Sequence, residues 1–496
     1  MKLCNLLKGI ETVKIIGNTD IEIENLTLQS MQSSKNSLFF AIKGSSQDGN
    51  DYIEESISKG AVAVVTERIS NNNITQIIVK DVKDVMGKMA YAFYKPKNER
   101  VKVIGIVGTN GKTTTSYILK SIFDSAKISA GVIGTLGIRY NNKFIEPSLT
   151  TPNSLELCEV LSDMSNDNVK YAIMELSAHA IEQKRCNFLK FDALIYTNCT
   201  QDHLDYFKDM QTYKKVKQSV FTSNNTNFAV VNVDDESGVE IINSKKVKTY
   251  TYGVNNPSDV FSINVKNSSK GVSFVMNIYD EIINANFKYA GDFNVYNSMA
   301  AATTAYALGI SVENIKIGIE SVKDLVGRMQ FIENYNGANI YVDYAHTPDG
   351  ILNTLKSLRK ITKNRLIILF GCGGNRDKSK RSIMGEIAGK YADFSIITSD
   401  NPRFEEPYSI ISEIEKGHRK ESLNYITIQN RYIATGYGIE MLKEGDTLVL
   451  TGKGGEEYQE IMGIKTRYSD IETVKEIISK MSLSGELIWK TIYLHF

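Results

Sequence analysis

Val101-Lys102-Val103-Ile104-Gly105-Ile106-Val107, followed directly by Gly108-Thr109-Asn110-Gly111-Lys112-Thr113-Thr114-Thr115, is the stretch that decides the fold of this chain. The first run is apolar, too short for a helix and bounded by glycine, so it predicts a fully buried parallel strand. The second run predicts a tight turn and then a helix over residues 113–125. Similar apolar runs recur at residues 171–174, 193–196 and 228–231. Strands that alternate with helices predict an α/β sheet with helices on both faces.

The glycine-rich turn carries the first chemical signal. Glycines let backbone N–H groups close on phosphates, and the following helix N-terminus adds a favourable dipole. Lys112 would reach the β- and γ-phosphates of a nucleotide, and the Thr113 hydroxyl would bind Mg²⁺. The spacing is shorter than in the usual phosphate loop, because Ile106 stands where its first glycine is expected. A turn that happens to contain Gly-Lys-Thr is the alternative.

The chain divides into three predicted α/β units, residues 1–98, 99–326 and 327–496. In the first unit we expect strands at 37–42 and 61–65, a helix at 51–59 and a polar linker at 95–100. In the third unit the expected strands are 340–342, 366–370, 394–397 and 447–450. The last dozen residues, 485–496, fit no motif.

Composition excludes several classes of protein. The 58 lysines and arginines against 57 acidic residues leave a net charge of +1, so no global positive field would hold nucleic acid. No run approaches the roughly eighteen apolar residues of a membrane span, and the N-terminus lacks the apolar core of a signal peptide. Five scattered cysteines without a C-x-x-C pair favour a reducing compartment. We therefore expect a soluble cytoplasmic protein.

Five motifs, in one order along the chain, resemble those of the Mur ligase family. They are the loop 108–115, Glu175-Leu176-Ser177-Ala178-His179, Thr197-Asn198-Cys199-Thr200-Gln201-Asp202-His203-Leu204-Asp205-Tyr206, Gly291-Asp292-Phe293-Asn294-Val295-Tyr296-Asn297 and Asp343-Tyr344-Ala345-His346-Thr347-Pro348-Asp349. The resemblance covers essentially the whole chain, and within the family it is to the MurE type, which extends UDP-MurNAc-L-Ala-D-Glu. It implies a small α/β UDP-binding domain, a central P-loop ATPase-like α/β domain and a C-terminal Rossmann-like α/β domain.

The resemblance implies an ATP and magnesium site. The ATP-binding residues would be Gly108, Thr109, Asn110, Gly111, Lys112, Thr113, Thr114, Asn294, Asn297, Arg328 and His346. The catalytic residues would be Lys112, Glu175, His203 and Lys217, and the ligands of two Mg²⁺ ions would be Thr113, Glu175, His203 and Lys217. Hard oxygen ligands suit Mg²⁺, which is commonly needed when a γ-phosphate passes to an anionic carboxylate.

Glu175, His203 and Lys217 each have an alternative reading. Glu175 is expected just after a buried strand, where it meets the phosphate loop or is merely solvated. A lone histidine is more often structural than a ligand, so the role of His203 rests on resemblance. In this family the lysine that matches Lys217 is carbamylated by CO₂ into a carboxylate-like ligand, which requires a lowered pKa. A solvated lysine patch is its alternative.

The precursor site implied by the resemblance comprises Ser30, Thr150, Thr151, Ser177 and Arg185. The planar fork of Arg185 suits a carboxylate or phosphate, although a surface helix arginine is the alternative. Gln29 and Met31 stand where family members usually have aspartate and arginine, whereas residues 44–49 fit the uridine-side loop.

Asp400-Asn401-Pro402-Arg403 is the version of its motif associated with meso-diaminopimelate. Arg403 can bind the distal carboxylate, which lysine lacks, and Glu456 can take the distal ammonium. Arg376 would hold the other carboxylate. The diaminopimelate-binding set is Arg376, Asp400, Asn401, Pro402, Arg403, Gly452 and Glu456. The alternative for Arg403 is an ordinary loop arginine.

The resemblance thus implies an ATP-dependent ligase of peptidoglycan precursor synthesis, which adds meso-diaminopimelate to the D-Glu side-chain carboxylate of UDP-MurNAc-L-Ala-D-Glu through an acyl phosphate. Its cofactors would be ATP, two Mg²⁺ ions and a CO₂-derived carbamate on Lys217, and we expect a monomer. The alternatives are the same reaction with L-lysine, another ligase of the superfamily such as folylpolyglutamate synthase, and a non-catalytic nucleotide-gated binding protein.

Overall fold

A computed structural model describes residues 1–44, 47–98, 101–146, 148–323 and 325–484. Within these ranges the strands form three sheets and one separate two-stranded hairpin, and helices pack against the sheets. The predicted α/β class with three units is therefore confirmed. No helix in the described ranges is long and apolar enough to cross a membrane.

The N-terminal sheet has five strands in the order β1-β5-β4-β3-β2, parallel except for β1. Its strands are β1 (Lys14–Ile16), β2 (Asn25–Thr27), β3 (Ser37–Phe40), β4 (Ala61–Thr66) and β5 (Thr75–Ile78). Its helices are α1 (Leu3–Leu6), α2 (Ile53–Ser58) and α3 (Val82–Asn98), with 3₁₀ turns at Ser30–Gln32 and Gly49–Tyr52. The strands and the helix expected in this unit are confirmed.

The prediction of a linker at residues 95–100 is wrong for residues 95–98, the part that the structure describes. Residues 95–98 continue α3, and residues 99–100 lie outside the described ranges. The apolar face of α3 packs on Leu155 and Cys158 of the central unit. Packing of this kind, rather than local composition, decides how far a helix extends.

The central sheet has eleven strands in the order β16-β15-β14-β13-β12-β11-β6-β10-β7-β8-β9. They are β6 (Lys102–Val107), β7 (Ala130–Gly134), β8 (Gly137–Tyr140), β9 (Lys143–Ile145), β10 (Tyr171–Leu176), β11 (Phe191–Tyr196), β12 (Thr226–Asn232), β13 (Thr249–Gly253), β14 (Val260–Ser268), β15 (Gly271–Ile278) and β16 (Glu281–Phe287). The central run of neighbouring strands, β14-β13-β12-β11-β6-β10-β7, pairs in parallel. Antiparallel strands extend the sheet at both edges, β15 and β16 at one and β8 and β9 at the other.

Helices cover both faces of this sheet, as the sequence predicts. They are α4 (Lys112–Ser125), α5 (Ser154–Asn166), α6 (Ala178–Glu182), α7 (Leu204–Phe207), α8 (Met210–Gln218), α9 (Glu236–Ser244), α10 (Phe293–Ala307) and α11 (Val312–Glu320). α4, α10 and α11 contribute to the core on one face, and α5 and α9 to the core on the other. β6 lies between β10 and β11, so the loops after these three strands meet at one edge.

The C-terminal sheet has six strands in the order β17-β18-β22-β19-β20-β21, parallel except for β17. Its strands are β17 (Gln330–Tyr335), β18 (Ala338–Asp343), β19 (Leu366–Phe370), β20 (Phe394–Ile397), β21 (Tyr425–Thr427) and β22 (Thr447–Thr451), and the hairpin is β23 (Tyr458–Ile461) and β24 (Ile464–Arg467). Its helices are α12 (Pro348–Arg359), α13 (Ser379–Tyr391), α14 (Pro407–His418), α15 (Arg431–Glu440) and α16 (Asp470–Ser484). The four strands expected in this unit are confirmed.

A buried ion pair joins α15 to α16 beneath the C-terminal sheet. Arg431 donates to Asp470 through Nε at 2.8 Å and Nη2 at 2.7 Å, and both side chains are fully buried. Arg431 also donates to the Thr451 carbonyl at 2.8 Å. A buried guanidinium that loses its counter-charge is costly, so this pair fixes how α16 is placed.

Changing Asp470 to Asn should lower the free energy of unfolding by about 3 kcal/mol, because it leaves the Arg431 charge buried without a carboxylate. Urea unfolding followed by circular dichroism measures this. Glu472→Gln is the matched control, since Glu472 pairs with Arg467 at the surface and exposed pairs contribute less than about 1 kcal/mol. Equal effects of the two substitutions would contradict the prediction.

Candidate functional site

A cavity of about 1500 Å³ lies between the central and C-terminal units, where the loops after β6, β10 and β11 meet. The predicted site residues that line it are Gly108, Thr109, Asn110, Gly111, Lys112, Thr113, Thr114, Thr150, Glu175, Ser177, His203, Asn297, Arg328, His346, Arg376, Asp400, Asn401, Arg403, Gly452 and Glu456. Those that do not are Ser30, Thr151, Arg185, Lys217, Asn294 and Pro402.

The phosphate loop closes tightly between β6 and α4. Gly111 has a φ of +88°, and a Cβ there would lie 2.4 Å from the Asn297 side-chain oxygen, so glycine is required. Lys112 Nζ donates to the Gly108 carbonyl at 2.7 Å and to the Thr109 carbonyl at 2.8 Å. Burial lowers the pKa of this amine. The loop therefore presents backbone N–H groups and one half-buried amine at a helix N-terminus, which suits polyphosphate.

Neighbouring loops hold this turn in place. The Thr109 N–H donates to the Asn198 carbonyl at 3.0 Å, and the Thr197 hydroxyl donates to the Asn110 carbonyl at 2.7 Å. Because Thr197 and Asn198 follow β11, the pairing of β6 with β11 supports the loop directly. The loop is thus held in one shape by the chain itself.

The two asparagines expected at the adenine are engaged within the protein. Asn294 Nδ2 donates to the Ala290 carbonyl at 2.8 Å, and Asn297 Nδ2 donates to Asn294 Oδ1 at 3.1 Å. Asn297 Oδ1 accepts from the Thr115 hydroxyl at 3.4 Å, which ties α10 to α4. Asn297 reaches the cavity and Asn294 lies behind it, so the adenine contact stays a prediction.

Glu175 lies within β10, whereas the sequence placed it just after the strand. The strand extends further because Glu175 and Leu176 still pair with β6. The carboxylate is 1% exposed; it accepts from the Thr135 N–H at 3.0 Å and from the Thr135 hydroxyl at 3.2 Å. Thr135 comes directly after β7 and belongs to no sequence motif. Only the pairing of β7 with β10 shows that it contacts Glu175.

His203 stands in an acidic and basic cluster at the junction of the two units. Its Nε2 lies 3.2 Å from Asp202 Oδ2, and Lys380 Nζ lies 3.2 Å from Asp202 Oδ1. Burial lowers the pKa of His203 to about 3. The charge of Asp202 acts in the opposite direction, whereas His179 and His346 lower the pKa further. Although burial opposes the charged form of Asp202, Lys380 holds the pKa of that carboxyl below its usual range. The imidazole is therefore neutral near pH 7, the form that binds metals.

Lys217 is buried in α8 immediately behind the phosphate loop. Its Nζ donates to the Thr109 hydroxyl at 2.6 Å and lies 4.0 Å from the centre of the Tyr213 ring. Burial, with a contribution from Lys112, lowers the pKa of this amine to about 7. A neutral amine near pH 7 is the chemical requirement for carbamylation, and Lys217 meets it.

The four predicted metal ligands stay a prediction as a set. Within the described residues no three His, Cys, Asp or Glu side chains are grouped so that they could hold a metal ion. Thr113, Glu175 and His203 nevertheless line one cavity, and Lys217 lies behind Thr109 at its wall. The Thr113 hydroxyl accepts from Arg328 Nη2 at 3.0 Å.

Four residues of the predicted precursor site form one continuous network. The buried Thr151 hydroxyl donates to the Glu175 carbonyl at 2.7 Å and accepts from the Ser177 N–H at 3.0 Å. Arg185 Nη1 donates to the Thr151 carbonyl at 2.8 Å, and the Thr150 hydroxyl faces that of Thr135 at 3.4 Å.

Ser30 lies away from this network, in the N-terminal unit. Its hydroxyl donates to the Glu55 carboxylate. The sequence also assigned residues 44–49 to the uridine side, but Ser45 and Ser46 lie outside the described ranges.

The end of the cavity that contains the predicted diaminopimelate-binding residues is built from the loops after β20 and β22. Asn401 Nδ2 donates to Glu456 Oε2 at 3.0 Å, and its Oδ1 accepts from the buried Lys453 Nζ at 2.8 Å. Burial, and then the charge of Asp400, raises the pKa of Glu456. Gly452 has a φ of +108°, and a Cβ there would lie 2.5 Å from Asp400 Oδ2.

Arg403 reaches the cavity with its guanidinium already supported. Nη1 donates to the Gly374 carbonyl at 2.9 Å, and Nε lies 3.2 Å from Glu460 Oε2. Lys453 and Glu460 are not among the residues predicted from the sequence, although Lys453 lies between the predicted Gly452 and Glu456. Arg376 also lines the cavity, and its positive charge contributes to lowering the pKa of His179.

Family models match most of the chain in three consecutive pieces. Residues 22–114 match the Mur ligase family catalytic domain, residues 106–305 the Mur ligase middle domain, and residues 327–454 the Mur ligase glutamate ligase domain. The UDP-N-acetylmuramoyl-L-alanyl-D-glutamate–2,6-diaminopimelate ligases of Caldanaerobacter subterraneus subsp. tengcongensis and Alkaliphilus oremlandii are 40% and 41% identical to it, over 97% of this chain and 99% and 100% of theirs. The chain belongs to the Mur ligase family.

A solved structure agrees with this assignment. The structure of a UDP-N-acetylmuramoyl-L-alanyl-D-glutamate–2,6-diaminopimelate ligase is 28% identical to this Mur ligase, with a TM-score of 0.70. The match covers 98% of this chain and 100% of the other. All three units of this Mur ligase are therefore present in a relative of known structure.

Replacing Lys217 with Met should change how stability depends on pH. Above pH 7 the buried amine is neutral, whereas the unfolded lysine keeps its proton until about pH 10, so unfolding takes up a proton. Over that window the wild type should gain up to about 1.4 kcal/mol of stability per pH unit relative to the variant. Below pH 7 the difference should stay constant. Urea unfolding in CO₂-free buffers measures it, and equal pH slopes would refute the shifted pKa.

Proposed function

We propose that this Mur ligase adds meso-diaminopimelate to the D-Glu side-chain carboxylate of UDP-MurNAc-L-Ala-D-Glu, with ATP as the energy source and an acyl phosphate as intermediate. The observation that carries the proposal is one cavity that contains both the phosphate loop and Arg403. A nucleotide and an amino acid with a second carboxylate therefore have separate ends of one space. The names of the relatives that match nearly the whole chain support the same substrates.

The nucleotide end has the chemistry that phosphoryl transfer requires. Backbone N–H groups of residues 108–114 and the amine of Lys112 would bind the ATP phosphates, and Arg328 and His346 approach from the C-terminal unit. Positive charge placed where negative charge develops is the main source of catalysis in such sites. Lys112 Nζ lies within the loop, where it donates to the Gly108 and Thr109 carbonyls.

The magnesium and carbamate proposals rest on side chains that fit those groups. Thr113, Glu175 and His203 offer a hydroxyl, a carboxylate and a neutral imidazole to one cavity, and Lys217 offers an amine that is neutral near pH 7. Two Mg²⁺ ions, when bound, would neutralise the phosphates and the acceptor carboxylate. The carbamate on Lys217 would add an oxygen ligand from behind Thr109.

The three units would divide the substrates among them. We assign residues 1–98 to the UDP-precursor, 99–326 to ATP and 327–496 to the amino acid. Thr150 and Ser177 line the cavity beside Glu175, which supports placing the dipeptide end there. Thr151 and Arg185 would then hold that wall from behind.

The amino-acid end favours diaminopimelate over L-lysine. Arg403 presents a guanidinium to the cavity, and a carboxylate satisfies it whereas the aminobutyl chain of lysine does not. Glu456 lies beside Asn401 and Lys453, where it would take the distal ammonium. Failure to pair a partly buried charge therefore disfavours lysine as the acceptor. Glutamate, which a folylpolyglutamate synthase adds, has a side-chain carboxylate for Arg403 but lacks the distal ammonium that Glu456 would take.

We also propose that the enzyme acts as a monomer in the cytoplasm. The cavity is complete within one chain, so no second copy is needed to build it. The five cysteines are free, which is typical of a reducing compartment.

Arg403→Ala should lower kcat/KM for meso-diaminopimelate by roughly a hundredfold and leave the rate with L-lysine unchanged, since only diaminopimelate has a distal carboxylate for Arg403 to bind. Release of ADP with UDP-MurNAc-L-Ala-D-Glu and each amino acid measures this. Arg467→Ala, at the exposed end of the β23–β24 hairpin, is the control. A wild-type enzyme that prefers L-lysine would sink the assignment.

Lys217→Ala should abolish turnover, and short carboxylates such as acetate or formate should restore part of it by replacing the carbamate oxygen. Lys215→Ala, on the exposed face of the same helix, should keep full activity. Full activity of the Lys217 variant without added carboxylate would rule out a carbamate role.

A further inference from the structure

The β23–β24 hairpin is attached by its backbone to the loop that carries Arg403. The Arg403 N–H donates to the Glu460 carbonyl at 3.1 Å, and the Met462 N–H donates to the Arg403 carbonyl at 2.7 Å. Arg403 pairs with Ile461 as an isolated parallel bridge. Its φ of +52° lies in the left-handed region, which a side chain other than glycine rarely adopts unless its surroundings impose it. The hairpin therefore fixes the backbone of Arg403 in an unfavourable conformation.

The side chain of Arg403 is fixed by the same hairpin. Its Nε lies 3.2 Å from the Glu460 carboxylate, and Nη1 donates to the Gly374 carbonyl at 2.9 Å. Gly373 makes room for this approach, because a Cβ there would lie 2.9 Å from Arg403 Nη1. Within the described residues Nη2 makes no hydrogen bond.

Glu460 pairs with Arg403 without itself lining the cavity. Arg403 lines the cavity and Glu460 does not, although the two side chains are similarly buried, at 19% and 20% exposed. A carboxylate behind the guanidinium neutralises its charge and limits its rotation, while the remaining donors stay available to a ligand. The arrangement is that of a support behind a binding group.

We propose that Glu460 is a positioning residue that sets the guanidinium of Arg403 for the side-chain carboxylate of the incoming amino acid, and that it thereby contributes to acceptor specificity. The inference rests on the proposed function, because it concerns the same end of the same cavity. A guanidinium held in its binding orientation loses less conformational freedom when the carboxylate arrives. Glu460 acts through Arg403 and need not touch the substrate.

The competing arrangement makes the opposite prediction. If Glu460 occupied the place of the substrate carboxylate, its removal would free Arg403 and strengthen binding of the amino acid. If it positions Arg403, its removal weakens that binding. The sign of the change in KM for diaminopimelate therefore distinguishes the two.

Glu460→Gln keeps the size of the side chain and removes its charge. We expect KM for meso-diaminopimelate to rise roughly tenfold with kcat within about twofold, since the partners are only partly buried. KM for ATP and for UDP-MurNAc-L-Ala-D-Glu should not change. Glu460→Asp, which keeps the charge on a shorter stem, should fall between wild type and the Gln variant.

A double-mutant cycle tests whether Glu460 acts through Arg403. In the Arg403→Ala background, Glu460→Gln should have no further effect on KM for meso-diaminopimelate. Glu472→Gln, which breaks the exposed pair with Arg467 beside the same hairpin, is the matched control and should leave every constant unchanged. Thermal unfolding of each variant verifies that the hairpin remains folded.

Two kinds of failure are distinguishable. An unchanged or lower KM in Glu460→Gln, or additive effects in the cycle, would overturn the positioning role while the wild type still uses diaminopimelate. A wild type that does not use diaminopimelate would overturn the proposed function and this inference with it.

Discussion

The pairing of β6 with β10 on one side and β11 on the other is the constraint on which the site depends. It brings three strand ends to one edge, so the loops that follow must share a small space. The loop after β11 then holds the phosphate loop through the Thr109 N–H and the Asn110 carbonyl. The carboxylate of Glu175 enters the same space from β10. Without this register, Glu175 would not reach the cavity that the phosphate loop lines.

Burial then gives these groups their chemistry. Lys112 Nζ donates to the Thr109 carbonyl and the buried Lys217 Nζ to the Thr109 hydroxyl. Burial lowers the pKa of Lys217, and the charge of the half-buried Lys112 adds to this. Asp202 keeps its charge in the same region because Lys380 of the C-terminal unit pairs with it. The same region therefore favours the neutral form of Lys217 and the charged form of Asp202, because only Asp202 is paired with a group of opposite charge.

The C-terminal unit completes the site through a few polar contacts. Arg328 lies 4.1 Å from the Tyr344 ring centre and donates to Thr113, and Asn110 Nδ2 donates to Asp349 at 2.9 Å. Lys380 also pairs with Asp202, so several contacts of the C-terminal unit involve the phosphate loop, its helix or the residue beside His203. Other contacts lie elsewhere, such as the one from Asn267 Nδ2 to the Ser357 carbonyl at 2.9 Å. Both units therefore form the wall of the cavity around the phosphate loop.

The sequence by itself determined the elements and the residue types. The run 101–107 and the turn after it predict a strand, a loop and a helix, because apolar length and glycine spacing are local properties. The antiparallel edge strands, the extension of α3 and the position of Glu175 inside β10 depend on packing and pairing with distant residues. Thr135, which donates to Glu175, and Glu460, which pairs with Arg403, belong to no motif of the sequence. Only the tertiary structure selects them, because contact across strands and hairpins depends on register and burial, which one stretch of chain does not contain.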